Sequence, residues 1–312
     1  MKKCLVVFFL VCSLPFHSAS AKLTVKSADP YLGALVMDAD TGKVIFEDNA
    51  DVVAYPASVL KLMDLMIILE KIDEGVVKLD DMITVDAETS KIGGSQVYLA
   101  EKEVFSVEEM LYALMVQSAN DAATALAIHI GGSKEGFVQL MNEKAQQLGM
   151  KSTVFHSIHG LPPGPGQEPD VTTPRDLSLL CLALLKHPQT LKYTSVIERP
   201  FRTSAKEPFI MRNHNHLLSS YTGCDGLKTG FYSAAGYSIA ATAQRNGVRV
   251  LAIVMGSTNR KTRDAKTAEL LGKGFMAIPR KSQPVEKKAA PVAKPARIGA
   301  GVGFFEAPTP TP

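Results

Sequence analysis

Strand-like segments lie at both ends of the chain, and a long helix-rich stretch separates them. Residues 31–37 and 43–47 are short apolar stretches joined by Asp-Ala-Asp-Thr-Gly, which is typical of a β-hairpin. The other main strand candidates lie in the second half of the chain, at residues 195–202, 208–213, 226–231, 237–244 and 248–255. A sheet that joins such distant segments must carry the intervening helices as an insertion. The sequence therefore predicts an α+β fold: a mostly antiparallel sheet covered by helices, with an inserted mainly helical lobe.

Helical patterns fill the middle of the chain and return near its end. Apolar residues recur every three or four positions over residues 58–74. Ser106 followed by Glu109 is a capping box that opens a second helix. Thr173 or Pro174 begins another helix, which runs to about residue 186. The remaining predicted elements are helices at residues 121–130, 134–148 and 262–276 and a small β excursion at residues 81–85 and 96–105.

The two ends of the chain differ from this core in composition. Lys2 and Lys3 precede an apolar run over residues 4–14, and Ala-Ser-Ala then forms a small-x-small cleavage site. This pattern predicts a signal peptide over residues 1–21 and secretion across the cytoplasmic membrane. Residues 280–312 are rich in Pro, Ala and Lys, which predicts a disordered tail. Residues 22–279 are predicted to form the folded domain.

The net charge of the chain argues against nucleic acid as a partner. The net charge of +3 is too small to indicate a nucleic-acid-binding protein. Removing Lys2, Lys3 and the net +4 of the tail leaves the predicted domain near −3. A basic tail could make a weak contact with an anionic envelope surface, although a solvated tail is the favoured interpretation.

Cysteine and histidine positions give no disulfide framework and no complete metal site. Outside the signal segment only Cys181 and Cys224 remain, and whether they pair is left open. Two histidine pairs have metal-like spacing: His214 with His216, and His156 with His159. Neither pair has a Cys or an acidic residue at ligand spacing, so structural histidines and no metal are predicted.

Ser58 and Lys61 open the first predicted helix and lie one turn apart on the same face. A serine hydroxyl is a weak nucleophile until a base takes its proton, and lysine acts as that base only when its pKa is lowered. Backbone N–H groups at a helix start also suit a developing oxyanion. About one Ser-x-x-Lys is expected by chance in a chain of this length, so this motif alone identifies nothing.

Two further triplets carry polar groups that suit the same chemistry. Ser-Ala-Asn at residues 118–120 offers a hydroxyl that can relay a proton and an amide that can hold a carbonyl, although Ser and Asn also cap helices. Lys-Thr-Gly at residues 228–230 begins a predicted strand. There a cation and a hydroxyl can hold a carboxylate, and glycine permits close backbone approach. An ordinary turn before a strand is the alternative for this triplet.

The three motifs follow one another in a fixed order, 60 and then 110 residues apart. The combination is far more specific than its parts, and the chain resembles the serine D-alanyl-D-alanine carboxypeptidases, the low-molecular-mass penicillin-binding proteins. The resemblance covers nearly all of residues 30–278. Further family landmarks are residues 55–58, 117–121, 158–162, 213–218, 225–230, 235–237 and 263–265.

The resemblance implies a serine carboxypeptidase and a role for each motif residue. Ser58 attacks the penultimate carbonyl of a peptidoglycan stem peptide that ends in D-Ala-D-Ala, and Lys61 is the base. Ser118 and Lys228 relay a proton to the leaving amine. Asn120 holds the substrate backbone and Lys61.

Substrate binding is implied in the same way. Thr229, with Arg263 behind it, binds the terminal carboxylate, and Gly230 admits the substrate backbone. The backbone N–H groups of Ser58 and Phe231 form the oxyanion hole. The expected partners are stem peptides and β-lactam antibiotics, the expected location is the periplasm or cell envelope, and no metal or organic cofactor is required.

Two other interpretations remain open. A β-lactamase shares the nucleophile and the triplets, but class A enzymes need Glu-x-x-Leu-Asn where residues 168–172 read Glu-Pro-Asp-Val-Thr. Class C enzymes use a tyrosine where this chain has Ser118. A non-catalytic peptidoglycan- or penicillin-binding module would have lost Ser58, Lys61 or Lys228, and all are present. The balance among carboxypeptidase, endopeptidase and transpeptidase activity is also open.

The base role of Lys61 carries an expectation about its ionisation. We expect its pKa to lie below the ~10.4 of a free lysine, because Lys61 is predicted to lie between Lys228 and apolar neighbours.

Overall fold

The protein is represented by a computed structural model that describes residues 23–279. The predicted signal peptide and the predicted basic tail lie outside the described residues, so both remain predictions. Within residues 23–279, no helix combines the length and the apolar character needed to span a bilayer.

Nine strands and eight α-helices are assigned in the described residues. The strands are β1 (Gly33–Asp38), β2 (Val44–Asp48), β3 (Met82–Thr84), β4 (Val104–Ser106), β5 (Glu198–Phe201), β6 (Phe209–Arg212), β7 (Cys224–Tyr232), β8 (Gly236–Arg245) and β9 (Val248–Ser257). The helices are α1 (Lys61–Asp73), α2 (Val107–Tyr112), α3 (Asn120–Gly131), α4 (Lys134–Gln147), α5 (Pro174–Lys186), α6 (Thr190–Thr194), α7 (Leu217–Ser220) and α8 (Arg260–Ala277). A 3₁₀ turn (Ala57–Leu60) precedes α1, and a π turn (Ala113–Gln117) follows α2.

The main sheet contains five strands in the spatial order β2-β1-β9-β8-β7, and each neighbouring pair is antiparallel. It joins the first hairpin to the last three strands, and α1 to α7 lie between these two groups in the sequence. The predicted α+β fold with an inserted mainly helical lobe is therefore confirmed. Because β7 is an edge strand, its outer side is free to line a cleft.

Apolar side chains cover both faces of the sheet, as β9 shows. Leu251, Ile253 and Met255 pack in the larger core with residues of α1, α3 and α5. Val250 and Val254 point the other way, into a smaller core that includes residues of α8. This alternation is the period-two geometry of a strand, and burial on both faces explains why β9 is almost continuously apolar.

Two secondary-structure predictions differ from the structure. Of the segment 96–105, only the end takes part in a strand, where Val104 pairs with Thr84. The strands β5 and β6 form a separate two-stranded ribbon and are not part of the main sheet. Periodicity identifies a strand but does not say which strand it pairs with, and this explains the second difference.

The capping box at α2 forms only in its first half. Ser106 Oγ accepts a hydrogen bond from the backbone N–H of Glu109 at 3.2 Å. The Glu109 carboxylate pairs with the guanidinium of Arg199 through both of its oxygens. The glutamate therefore ties α2 to β5.

Cys181 and Cys224 are both free, which settles the question of their pairing. Burial raises the pKa of both thiols, that of Cys224 to about 11. Neither is a reactive thiolate near neutral pH.

Candidate active site

Ser58 lies half-buried in the 3₁₀ turn that leads into α1. The residue before it, Ala57, has a φ of +45°, which is unfavourable for a residue with a Cβ. Such a conformation persists only when the surrounding structure fixes it, and it holds the serine at the start of the helix.

Gly230 allows β7 to pack directly against this turn. A Cβ at position 230 would lie 2.5 Å from the carbonyl oxygen of Pro56 and 3.0 Å from the backbone nitrogen of Ser58. Any side chain there would push the strand away from the nucleophile. The glycine of the Lys-Thr-Gly triplet therefore has a packing role in the protein itself.

Lys61 is fully buried and donates three hydrogen bonds from its Nζ. The acceptors are Ser58 Oγ at 3.0 Å, Asn120 Oδ1 at 2.7 Å and the His159 carbonyl oxygen at 2.8 Å. These three bonds match the three N–H groups of an ammonium. The predicted contacts of Lys61 with Ser58 and Asn120 are present in the structure.

Burial lowers the pKa of Lys61 to about 8. Three nearby carboxyl groups, those of Asp64, Asp121 and Asp170, oppose this effect. The direction agrees with the sequence-based expectation. The carboxyl groups are an addition to the predicted surroundings, while the predicted repulsion between Lys61 and Lys228 is seen in its effect on Lys228.

Asp64 is the site residue that the sequence reasoning missed most clearly. It lies one turn after Lys61 in α1 and is 2% exposed. Neither of its carboxyl oxygens has a hydrogen-bond partner among the described residues. Burial raises the pKa of Asp64 well above its usual range, and Lys61 opposes this. The available signal was an aspartate inside an otherwise apolar helical run.

The Ser-Ala-Asn triplet follows the π turn and carries site contacts. Ser118 has a φ of +60°, and its Oγ accepts a hydrogen bond from Lys228 Nζ at 2.9 Å. The N-cap of α3 is Ala119, which has no side-chain capping bond. Asn120 is the first residue of α3 and contacts Lys61 through its side chain. The alternative that this triplet merely caps a helix is therefore wrong.

Lys228 is the buried lysine on the sheet side of the site, as Lys61 is on the helical side. It lies on β7, is 2% exposed, and also donates to the carbonyl oxygen of Thr229 at 3.0 Å. Burial lowers the pKa of Lys228 well below its usual range, and the nearby Lys61 and Arg263 add to the effect. Both lysines of the predicted mechanism are thus buried.

One cavity of about 310 Å³ brings the predicted site residues together. The predicted residues that line it are Ser58, Ser118, Asn120, Thr229, Gly230, Phe231 and Arg263. Lys61 and Lys228 are buried and hydrogen-bonded to lining residues. Arg263 is 2% exposed, and its guanidinium donates to Asp264 Oδ1 at 2.8 and 2.7 Å.

The cavity also has lining residues to which the sequence reasoning gave no role. They include Ser95, His214, His216, Tyr237 and Arg260. The sequence predicts structural roles for the two histidines and places them in a family landmark. Within residues 23–279, no group of three or more His, Cys, Asp or Glu could hold a metal. Burial lowers the pKa of His214 to about 4, and nearby Lys228 and Lys61 add to this. His214 is therefore a neutral part of the wall near pH 7.

Comparison with known proteins gives a consistent result. The family model for D-alanyl-D-alanine carboxypeptidase matches residues 21–259. The chain is 33% identical over 279 residues to D-alanyl-D-alanine carboxypeptidase DacF of Bacillus subtilis (strain 168), a match that covers 89% of this chain and 70% of DacF. It is 35% identical over 249 residues to D-alanyl-D-alanine carboxypeptidase DacC of Escherichia coli (strain K12), covering 77% of this chain and 60% of DacC. This chain thus spans less than two thirds of the length of some relatives.

Solved structures agree with these relatives. Penicillin-binding protein D2 of Listeria monocytogenes in its ampicillin-bound form has a TM-score of 0.70 and 33% identity, over 79% of this chain and 97% of that one. D-alanyl-D-alanine carboxypeptidase DacD of Francisella tularensis has a TM-score of 0.72 and 27% identity, over 88% of this chain and 74% of that one. The family-model match ends one residue before α8, so Arg263 lies beyond it. The extent of the matches shows that the chain belongs to the D-alanyl-D-alanine carboxypeptidase family.

Proposed function

We propose that this protein is an exported serine D-Ala-D-Ala carboxypeptidase that removes the terminal D-alanine from peptidoglycan stem pentapeptides. The observation that carries the proposal is the 3.0 Å contact between Ser58 Oγ and Lys61 Nζ, made by a fully buried lysine beside an open cavity. Family membership supports the substrate class. The proposed location is the periplasm or cell envelope.

Acylation begins with transfer of a proton from Ser58 Oγ to Lys61 Nζ. A neutral Lys61 has a lone pair that can take this proton across their existing contact, while its two N–H groups remain bonded to Asn120 and to the His159 carbonyl. Ser58 Oγ then bonds to the carbonyl carbon of the penultimate D-alanine. The resulting oxyanion accepts hydrogen bonds from the backbone N–H groups of Ser58 and Phe231.

Collapse of this intermediate breaks the carbon–nitrogen bond of the terminal D-alanine. The departing amine takes a proton from Ser118 Oγ, which Lys228 replaces through their 2.9 Å hydrogen bond. Lys61 then releases to solvent the proton it took from Ser58, and Lys228 regains a proton from solvent, so both lysines return to their starting states. Water attacks the acyl carbonyl and gives a proton to neutral Lys61, which passes it to Ser58 Oγ as the acyl–oxygen bond breaks. The shortened peptide leaves as a carboxylic acid that ionises in solvent, and Ser58 is regenerated.

The terminal carboxylate of the substrate binds to Thr229, with the guanidinium of Arg263 behind it. Both residues line the cavity. The contact of Arg263 with Asp264 fixes the plane of the guanidinium, and a planar fork suits carboxylate binding. By the same logic a β-lactam, whose ring presents a carbonyl and a carboxylate, acylates Ser58.

The proposal is tested by release of D-alanine from a stem pentapeptide. We expect the wild-type protein to release stoichiometric D-alanine and Ser58→Ala to release none. Ser204→Ala, an exposed serine outside the cavity, is the matched control and should behave as the wild type. Equal release by Ser58→Ala and the wild type would contradict the proposal. Rapid turnover of penicillin would indicate a β-lactamase, and absence of both turnover and acylation would indicate a binding module.

A further inference from the structure

The wall of the cavity next to Arg263 carries a second arginine and two histidines. Arg260, His214 and His216 line it together with Arg263. No Asp or Glu is among the residues that line this cavity in the described part of the chain. The proposed mechanism uses Arg263 for the terminal carboxylate and leaves Arg260 and His216 without a role.

Arg260 and Arg263 lie on the same side of α8. They are three residues apart in an 18-residue helix, which places their Cβ atoms about 5–6 Å apart. Arg263 is buried, whereas Arg260 is exposed at the mouth of the cavity. The helix therefore presents one guanidinium inside the cleft and a second one turn farther out.

The partners of the two guanidiniums differ. Arg263 is paired with Asp264, whereas Arg260 contacts the Nε2 atom of His216 from its Nη1 at 3.4 Å. Because a guanidinium can only donate, His216 Nε2 is the acceptor in this contact, which orients the arginine. Burial lowers the pKa of Arg263, Asp264 opposes this, and Arg260 adds to it. The two cations are thus close enough to repel each other, and an anion beside Arg260 would relieve that repulsion.

We propose that Arg260 and His216 form a second carboxylate subsite on the leaving-group side of the cleft. This inference rests on the proposed function, in which Arg263 binds the terminal carboxylate of the departing D-residue. A departing D-alanine has a single carboxylate and leaves the subsite empty. A departing fragment with a second carboxylate, as in a cross-linked stem peptide or an acidic D-amino acid, occupies both. The subsite thus favours substrates whose leaving group is acidic.

The test compares leaving groups that differ only in charge. Three acyl-D-alanyl peptides are used, ending in D-alanine, D-glutamate or its uncharged isostere D-glutamine. The kcat/KM of each is measured, and inhibition of D-alanine release from the first peptide gives the affinity of any peptide that is not cleaved. We expect the wild type to favour D-glutamate over D-glutamine by about three- to fivefold, the size of an exposed ion pair. Added salt should reduce the preference.

Reversing the charge at position 260 should reverse the preference between the D-glutamate and D-glutamine peptides, a result that a structural defect cannot produce. Arg260→Glu should make D-glutamate the poorer of the two peptides, and Arg260→Gln should bring the ratio to about one. Lys261→Glu, the exposed neighbour on α8 that does not line the cavity, should keep the wild-type ratio.

The outcomes separate this inference from the proposed function. Release of D-alanine with a ratio near one in the wild type would overturn the subsite and leave the carboxypeptidase intact. An equal ratio of kcat/KM for the D-glutamate and D-glutamine peptides in Arg260→Glu and in the wild type would also overturn the subsite. Failure of both of these peptides to bind would overturn it as well. Absence of D-alanine release from the first peptide would instead overturn the proposed function.

Discussion

Lys61 on the helical wall of the cleft and Lys228 on the sheet wall are both buried, yet their surroundings are opposite. Lys61 has three hydrogen-bond acceptors and lies near three carboxyl groups, which oppose the effect of burial on its pKa. Lys228 donates to two acceptors, and the charged groups that act on it are the cations Lys61 and Arg263. A buried lysine therefore lies among carboxyl groups on the helical wall and among cations on the sheet wall.

This difference assigns the two lysines different tasks. A base must accept a proton and then hold the resulting charge, and the carboxyl groups near Lys61 stabilise that charge. A positive charge on Lys228 would be repelled by the neighbouring cations Lys61 and Arg263. Lys228 is better suited to pass a proton to Ser118 than to keep one. In the proposed mechanism, the helical wall therefore performs the first proton transfer and the sheet wall the second.

The largest expected effect comes from making Lys61 unable to accept a proton. Lys61→Arg keeps a positive charge but has no usable neutral form, so the rate of acylation by penicillin should fall by about 10²–10⁴-fold. Lys71→Arg, on the same helix but paired with Glu74 on its surface, is the matched control. Acylation of Lys61→Arg within tenfold of the wild type would remove Lys61 as the base.

On the sheet wall, Ser118 and Lys228 should act as one unit. Ser118→Ala and Lys228→Met should each slow release of D-alanine by about 10²-fold, because each breaks the same proton path. The double variant should be little worse than either single variant, with a coupling energy of about 2–3 kcal/mol. Thermal unfolding of all three variants checks that the fold is retained. Additive effects in the folded double variant would show that the residues work independently.

The junction of the two walls depends on Gly230. Gly230→Ala places a Cβ 2.5 Å from the Pro56 carbonyl oxygen, and should lower the free energy of unfolding by about 1–3 kcal/mol and slow acylation. The control is Gly272→Ala in α8, where the nearest atom is 3.9 Å away. Alanine there should raise the free energy of unfolding by about 0.5–1 kcal/mol through its helix propensity. Equal stability of the two variants in chemical denaturation would contradict the close packing of β7 on the Ser58 turn.

The smallest expected effect is a pH dependence. Because the base must be neutral and burial lowers the pKa of Lys61 to about 8, the rate of acylation should rise as pH increases through 8. About a tenth of Lys61 is neutral at pH 7, so the gain from pH 7 to pH 9 is roughly tenfold. A stopped-flow profile with no ionisation below pH 9 would show that burial does not lower this pKa as described.

Sequence patterns were sufficient where they reflect local geometry. The apolar run of β9, the helix that follows Ser58 and the order of the three motifs all placed their elements correctly. The contact between Ser58 and Lys61 follows from helical spacing alone. These features need no knowledge of how distant segments meet.

The electrostatic surroundings of the site could not be read in this way. Asp121 and Asp170 come to Lys61 from segments far along the chain, and Asp64 is hidden in an apolar helix. Arg260 gains its place from the position of α8 beside the cavity. Tertiary packing decides which charges meet, and no local period encodes it.

The central claim is that Ser58 forms a covalent acyl-enzyme, and intact-mass spectrometry over time with a penicillin tests it most directly. We predict that the mature protein gains the mass of one penicillin, that the adduct persists, and that Ser58→Ala gains nothing. An adduct on Ser58→Ala, an adduct that vanishes as penicillin is consumed, or no adduct on the wild type would contradict the account.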